Sequence, residues 1–186
     1  MEKIEYLIYG GGAQSRVVRS ILEKMDIRIA GIFDKKNDLK TSKQIPFLGN
    51  YDTQIHSKCK LVIAIGDNKI RKKVSQIIQH PIATIIDPNT NINKDVSIGE
   101  GSQIITSSTI NIGTRIGKYC IINTNSSIDH DCIISDFAHI APGVTICGGV
   151  SIGNSTLVGA GSTVLPNVTI GDNVIIGAGS LVNKNI

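Results

Sequence analysis

The sequence predicts a mainly β chain with an α/β cap: a small α/β domain over residues 1–80, then a parallel β-helix over residues 81–186. Two patterns carry this. From Ile86 to Val182 every sixth residue is Ile or Val, seventeen positions without a failure. Before them, strand-like and helix-like segments alternate. A third observation agrees. Aromatic residues are 4% of the chain and Trp is absent, so aliphatic side chains must fill the core.

The N-terminal elements follow in order. Tyr6–Tyr9 reads as a buried strand bounded by glycines. Ala13 to Met25 sets Val17, Val18, Ile21, Leu22 and Met25 on one helical face. Arg28 to Phe33 reads as a second strand ending at Asp34, and Lys60 to Ile65 as a third. Asp67 to Gln79 is a second helix with Ile70, Val74, Ile77 and Ile78 inward. The order β-α-β-loop-β-α implies a small parallel sheet with right-handed crossovers.

The six-residue period is too long for a helical turn and too strict for an ordinary β-sandwich. It fits a short strand and a tight turn, repeated three times per coil of a prism. Each inward aliphatic then stacks on its equivalent eighteen residues away. The residue after it is often small, as at Gly99, Gly117, Ala141 and Gly159. The fourth residue after it is small or Val, as at Ser102, Cys120, Cys132 and Val150. Such a solenoid needs its ends covered, a task suited to the N-terminal domain, and its flat sides commonly pack into trimers.

Nineteen Lys and Arg against fifteen Asp and Glu give a net charge of +4, which suits a protein handling anionic small molecules. No basic stripe interleaved with aromatics points to nucleic acid. The apolar runs are far shorter than a membrane span requires. Residues Met1–Glu5 lack the basic start and apolar run of a signal peptide, so a soluble, cytoplasmic protein is expected. The four cysteines show no metal or redox spacing and are read as free thiols.

Candidate chemistry falls in both halves. Gly10-Gly11-Gly12-Ala13-Gln14-Ser15 follows a strand and opens a helix, whose N–H groups suit a phosphate. Asp34 stands where a ribose-binding acid belongs, although Ser15 replaces the third glycine of the fingerprint. The domain is short for a dinucleotide, so a nucleoside diphosphate fits better. Gly66-Asp67-Asn68 repeats the strand-then-glycine theme before Lys69 and Arg71. The alternative reading is that these glycines are turn formers alone. His56 and His80 read as ordinary surface residues. His130 and His139 lie within the repeat, off the inward positions, and should point outward. In Asp129-His130-Asp131 a carboxylate can orient the ring and raise its basicity, for proton removal from an attacking amine or hydroxyl. A metal lacks a convergent third ligand here, so none is expected. Cys132 occupies an inward small-residue slot and reads as packing rather than as a nucleophile.

Three stretches carry a family resemblance: Ile8-Tyr9-Gly10-Gly11-Gly12, the run from Ile63 to Lys73 that contains Gly66-Asp67-Asn68, and the run from Asn123 to Cys132. With the hexapeptide period they make the whole chain resemble the nucleotide-sugar acetyltransferases, which join a Rossmann-like cap to a left-handed β-helix. The bacillosamine-pathway N-acetyltransferases are the nearest group. Perosamine-type N-acetyltransferases and sialic acid O-acetyltransferases belong to the wider set.

The resemblance implies acetyl-CoA as cosubstrate, no metal, a nucleotide-sugar substrate and a homotrimer. It implies His130 as the general base, Asp131 as its acidic neighbour (Asp where the nearest relatives have Glu) and His139 beside the acetyl carbonyl. It places Asn123 near the sugar, and the backbone at Gly148, Ala160 and Ala178 along the pantetheine arm. Gly10, Gly12, Asp34, Lys35, Gly66 and Asn68 match the region that holds the nucleotide. The chain departs from the family at Ala13-Gln14, where Gly-His is usual, and at Ile186, where relatives continue into a Pro-rich segment. Three functions compete at this stage: N-acetylation of a nucleotide-linked 4-amino-4,6-dideoxy sugar in bacterial glycan synthesis, O-acetylation of sialic acid or a related sugar, and a non-catalytic nucleotide-sugar scaffold.

Overall fold

The computed structural model describes residues 5–35 and 45–186. The reading of the N-terminus as free of a signal sequence falls largely on residues 1–4, outside those described. The chain divides into two compact units, Met1–Ile85 and Ile86–Ile186. Among the described residues no helix is long and apolar enough to cross a membrane.

The first unit is a four-stranded parallel sheet with two helices. Strands β1 (Glu5–Tyr9), β2 (Arg28–Phe33), β3 (Phe47–Gly49) and β4 (Lys60–Ile63) lie in the order β3-β2-β1-β4. Leu7, Ile8, Ile32, Phe33, Leu61 and Val62 are buried, as parallel strands require. Helix α1 (Ala13–Lys24) buries Val18, Ile21 and Leu22, while Val17 and Met25 are only partly covered. Strand β3 has no counterpart in the sequence reading: three residues are too few to show a period.

Helix α2 needs correction. It spans Asn68–Ser75 rather than reaching Gln79, and only Val74 of its expected inward residues is buried. Ile70 and Ile77 are 52% and 54% exposed. The largest buried side chain of the helix is Arg71. Its Nη1 donates to the carbonyls of Ile65 and Gly66, at 3.0 and 2.9 Å. Its Nη2 donates to Asn68 Oδ1 at 2.7 Å. Hydrophobic period alone cannot foresee a buried guanidinium, which is stable only because these acceptors meet it.

The second unit is a parallel solenoid of two-residue strands in three sheets. Face 1 runs from strand Ile85–Ile86 to Ile175–Ile176, face 2 from Asn91–Ile92 to Leu181–Val182, and face 3 from Ser97–Ile98 to Thr169–Ile170. Every pair is offset by eighteen residues, as in Ile116↔Ile134 and Ile134↔Ile152. From Ile104 to Val182 the second residue of each strand is buried. Each such side chain contributes roughly 1.5–3 kcal/mol by leaving water. Ile86, expected inward, is exposed, while its strand neighbour Ile85 is fully buried.

The four-residue corners explain the rest of the period. From Gly101 to Gly179 every sixth residue, the third of its corner, has a positive φ. Gly, Asn, Asp and Ser supply most of these, as left-handed geometry favours. Tyr119 and Phe137 are the bulky exceptions, and their rings stack at 5.0 Å across one coil. The fourth corner residue points inward, and its hydroxyl satisfies backbone of the next coil at Ser102, Thr114, Thr156 and Ser162 and of its own coil at Ser108 and Ser126. Ser102 Oγ donates to Gly117 O and accepts from Cys120 N, at 2.7 and 2.9 Å.

Candidate active site

In the first unit a cavity of about 630 Å³ opens beside the glycine turn. Gly10, Gly12, Asp34, Lys35 and Gly66 line it, with Tyr9, Gln14, Ile65, Ile70 and Val74. This accounts for the exposure of Ile70, which faces the cavity rather than the core. Gly10 is demanded by packing: its φ is +104°, and a Cβ there would lie 2.9 Å from the Ala64 carbonyl oxygen. Gly12 and Gly66 meet no such obstacle and leave their stretches of wall bare.

The two strand-to-helix turns differ. Gly12 is the N-cap of α1 and provides no side-chain cap. The N-terminus of α2 is already capped by Asp67, whose Oδ1 accepts from Ile70 N at 2.8 Å. The first turn therefore offers the better anion seat. Asp34 Oδ2 accepts from Gly11 N at 2.6 Å, so this carboxylate shapes the turn as well as lining the cavity. Asn68 is not on the cavity wall; it engages Arg71, which in turn fixes the Ile65–Gly66 backbone.

In the solenoid, His130 and Asp131 lie on the edge where face 2 turns into face 3. His130 Nδ1 and Asp131 Oδ2 are 2.9 Å apart, and both side chains are exposed. Asp131 holds the left-handed corner position, with φ 58°. The hydrogen bond to Asp131 first, then the charges of Asp129 and Asp131, raise the His130 pKa above its ordinary value. Asp129 Oδ1 accepts from His130 N at 2.8 Å and from Asn111 Nδ2 at 3.0 Å. Those bonds hold its carboxyl below the usual range. Gly148 lies on the same edge one coil on. Cys132 is buried beneath the corner, its Sγ 3.2 Å from Cys147 O, and burial pushes the thiol up.

His139 stands on face 1, and Asn123, Ala160 and Ala178 on the edge between faces 1 and 2. The edge carrying His130 is the one opposite face 1. One solenoid therefore does not bring its two outward histidines together. Asn123 Nδ2 lies 3.1 Å from His139 Nε2, while Asn123 Oδ1 accepts from Thr124 N at 2.8 Å. That second bond sets the amide orientation, so Nδ2 donates, His139 Nε2 accepts and the ring proton sits on Nδ1. Held this way, the His139 ring is fixed in orientation by Asn123.

His80, expected at the surface, is buried. Its Nε2 is 3.0 Å from Ile55 O and its Nδ1 2.8 Å from the Tyr51 hydroxyl, a structural network. His56 is exposed and brings a ring nitrogen within 4.8 Å of donor atoms on Glu5 and Cys59. That trio belongs to the first unit, and Glu5 is paired with Arg28 at 3.1 Å. Sequence reading also missed Asn111, Gly113 and Thr114, whose relation to the His130 corner exists only through the coil stacking.

Comparisons with known proteins agree with this architecture. The model of the PglD N-terminal domain matches residues 5–78, and that of the bacterial transferase hexapeptide (six repeats) matches residues 149–184. No curated protein matches the chain by sequence. PerB from Caulobacter crescentus, solved with CoA and GDP-perosamine, is 30% identical with a TM-score of 0.90, over 100% of this chain and 91% of that one. A histidine-to-asparagine mutant of the perosamine N-acetyltransferase of Caulobacter crescentus, also with CoA and GDP-perosamine, is 30% identical with a TM-score of 0.91, over 100% and 90%. The acetyltransferase domain of PglB from Neisseria gonorrhoeae FA1090 shares the fold, with a TM-score of 0.90 at 24% identity over 98% and 92%. A PglD-type domain followed by hexapeptide repeats defines an acyltransferase. The chain belongs to the family of nucleotide-sugar N-acetyltransferases that includes the Caulobacter enzyme.

Proposed function

We propose that the chain transfers acetyl from acetyl-CoA to the amino group of a nucleotide-linked 4-amino-4,6-dideoxy sugar, in the cytoplasm, for bacterial glycan synthesis. The observation that carries this reading is the His130–Asp131 pair on an exposed solenoid edge. The nucleotide diphosphate takes the cavity of the first unit, with phosphate at the α1 N-terminus and Lys35 at its rim. The pantetheine arm takes the edge bearing Ala160 and Ala178, both small and exposed. Two solenoids side by side, within a trimer, would set that edge and His139 of one copy against His130 of the next.

The chemistry is direct transfer. Nδ1 of His130 is engaged by Asp131, which leaves Nε2 as the basic atom. Nε2 removes the proton from the sugar amine as the nitrogen attacks the thioester carbonyl. The N–C bond forms, the C–S bond breaks, and the proton passes from His130 to the departing thiolate. His139 Nδ1–H or a backbone N–H stabilises the developing oxyanion.

Thiol release from acetyl-CoA with an acceptor panel tests the reading. UDP-, dTDP- and GDP-linked 4-amino sugars should include one rapid acceptor. Turnover confined to free sialic acid or CMP-sialic acid would overturn it in favour of O-acetylation. Silence across the panel would favour a scaffold.

The pH dependence has a defined sign. The reaction needs neutral His130, so the rate falls as pH drops through its raised pKa. Asp131→Asn removes the largest cause of that rise. The acidic limb of kcat/KM should move to lower pH, and the plateau rate should drop by about tenfold as basicity is lost. A limb that stays where it was would count against the pair acting as a unit.

A further inference from the structure

We propose that Gly148, assisted by Gly113, is a positioning residue for His130: the missing side chains cut a slot across three successive coils in which the His130–Asp131 pair lies. The catalytic consequence rests on the function proposed above, whereas the slot itself does not.

His130 belongs to an exposed side-chain pair, so packing from its own coil does little to fix the ring. The neighbouring coils do the fixing. A Cβ built on Gly148 would lie 2.5 Å from His130 Nε2 and 2.6 Å from Cε1. The imidazole thus rests over the bare Cα of Gly148. On the other side, a Cβ on Gly113 would collide with Asp131 Oδ1. The backbone between them is pinned from both coils. Thr114 Oγ1 donates to Asp129 O at 2.7 Å and accepts from Cys132 N at 3.1 Å. Gly149 N donates to His130 O at 2.9 Å. With the corner held, the ring meets Asp131 through Nδ1 from a position over Gly148, and a methyl group at residue 148 would occupy that position.

The two glycines differ in a way that makes the idea testable. Gly113 has a φ of +74°, so a side chain there strains the backbone whatever the space. Gly148 is not in the left-handed region. Gly148→Ala therefore acts on the ring and not on the corner. The charged groups facing the ring are Asp131 and Asp129. Displacing the ring outward breaks the first contact and lengthens the second.

The test is NMR titration of the His130 imidazole in the full-length protein, with kinetics alongside. In the wild type an Overhauser contact should join the Gly148 Hα protons to His130 Hε1, and its absence overturns the proposal without any variant. In Gly148→Ala the ring should titrate at lower pH than in the wild type. The kcat should fall about as far as in Asp131→Asn, with the KM for acetyl-CoA within about twofold and no added loss in a His130→Ala background. An unchanged titration with a raised KM for acetyl-CoA would mean that residue 148 serves the pantetheine arm alone, and the proposal fails. If the titration shifts while His130→Ala turns over normally, the slot stands and the general-base assignment falls.

Discussion

His130→Ala is expected to lower kcat by about 10²–10⁴-fold, the usual contribution of a positioned base. The reasoning is local. His130 shares its corner with two carboxylates, and hydrogen bonding to Asp131 raises its basicity. Near neutral pH such a ring can accept a proton from the amine and return it to a thiolate. No other imidazole of the chain stands on that edge: His139 is on the opposite face, His80 is buried and His56 is in the first unit. Acetyl-CoA affinity should stay within about threefold, because what the ring supplies is proton transfer from the amine rather than binding of the pantetheine arm. Steady-state kinetics with a dissociation constant for CoA check both halves. Near-normal turnover by the alanine variant would remove His130 from the mechanism.

Mixing two inactive variants should restore activity. His130→Ala disables one edge of the prism, and an Asn123→Ala/His139→Ala double variant disables the opposite side. If one active site draws on both, each site takes His130 from one copy and His139 from its neighbour. In a trimer that holds both variants, one of the three interfaces sets a good edge against a good face, so the doubly tagged species should recover about a third of the wild-type sites. Each variant alone should stay near background. Co-expression with two affinity tags, followed by kinetics on the doubly tagged species, reads the result. No recovery in verified mixed trimers would mean that His139 and His130 do not share a site, and His139 would drop out of the mechanism.

Much of this was legible in the sequence, for identifiable reasons. A solenoid repeats one environment every six residues, so its period survives any local irregularity. Sixteen β-branched positions outweigh the one that failed, Ile86 at the first rung. Cys132 was readable as packing because its slot in the period is inward. The glycine turn and Asp34 were readable from the strand-turn-helix pattern and Lys35 from the family resemblance, and all three line one cavity. Helix α2 was misread because an isoleucine facing a cavity and one facing a core look alike in a period. His80 was misread as a surface residue because its partners are a backbone carbonyl and a tyrosine hydroxyl, which leave no mark on sequence spacing.

The sequence by itself determined the solenoid, the α/β unit before it, and the candidate base with its carboxylate. All of these follow from periodicity or from adjacent residues. Only the tertiary structure decided that His130 and His139 stand on opposite sides of the prism, that Asn123 sets the tautomer of His139, and that Gly148 lies under the His130 ring. The physical reason is that a parallel coil brings residues eighteen apart into contact and sends residues nine apart to opposite sides. Function in such a fold is arranged across coils, where a linear reading sees only distance.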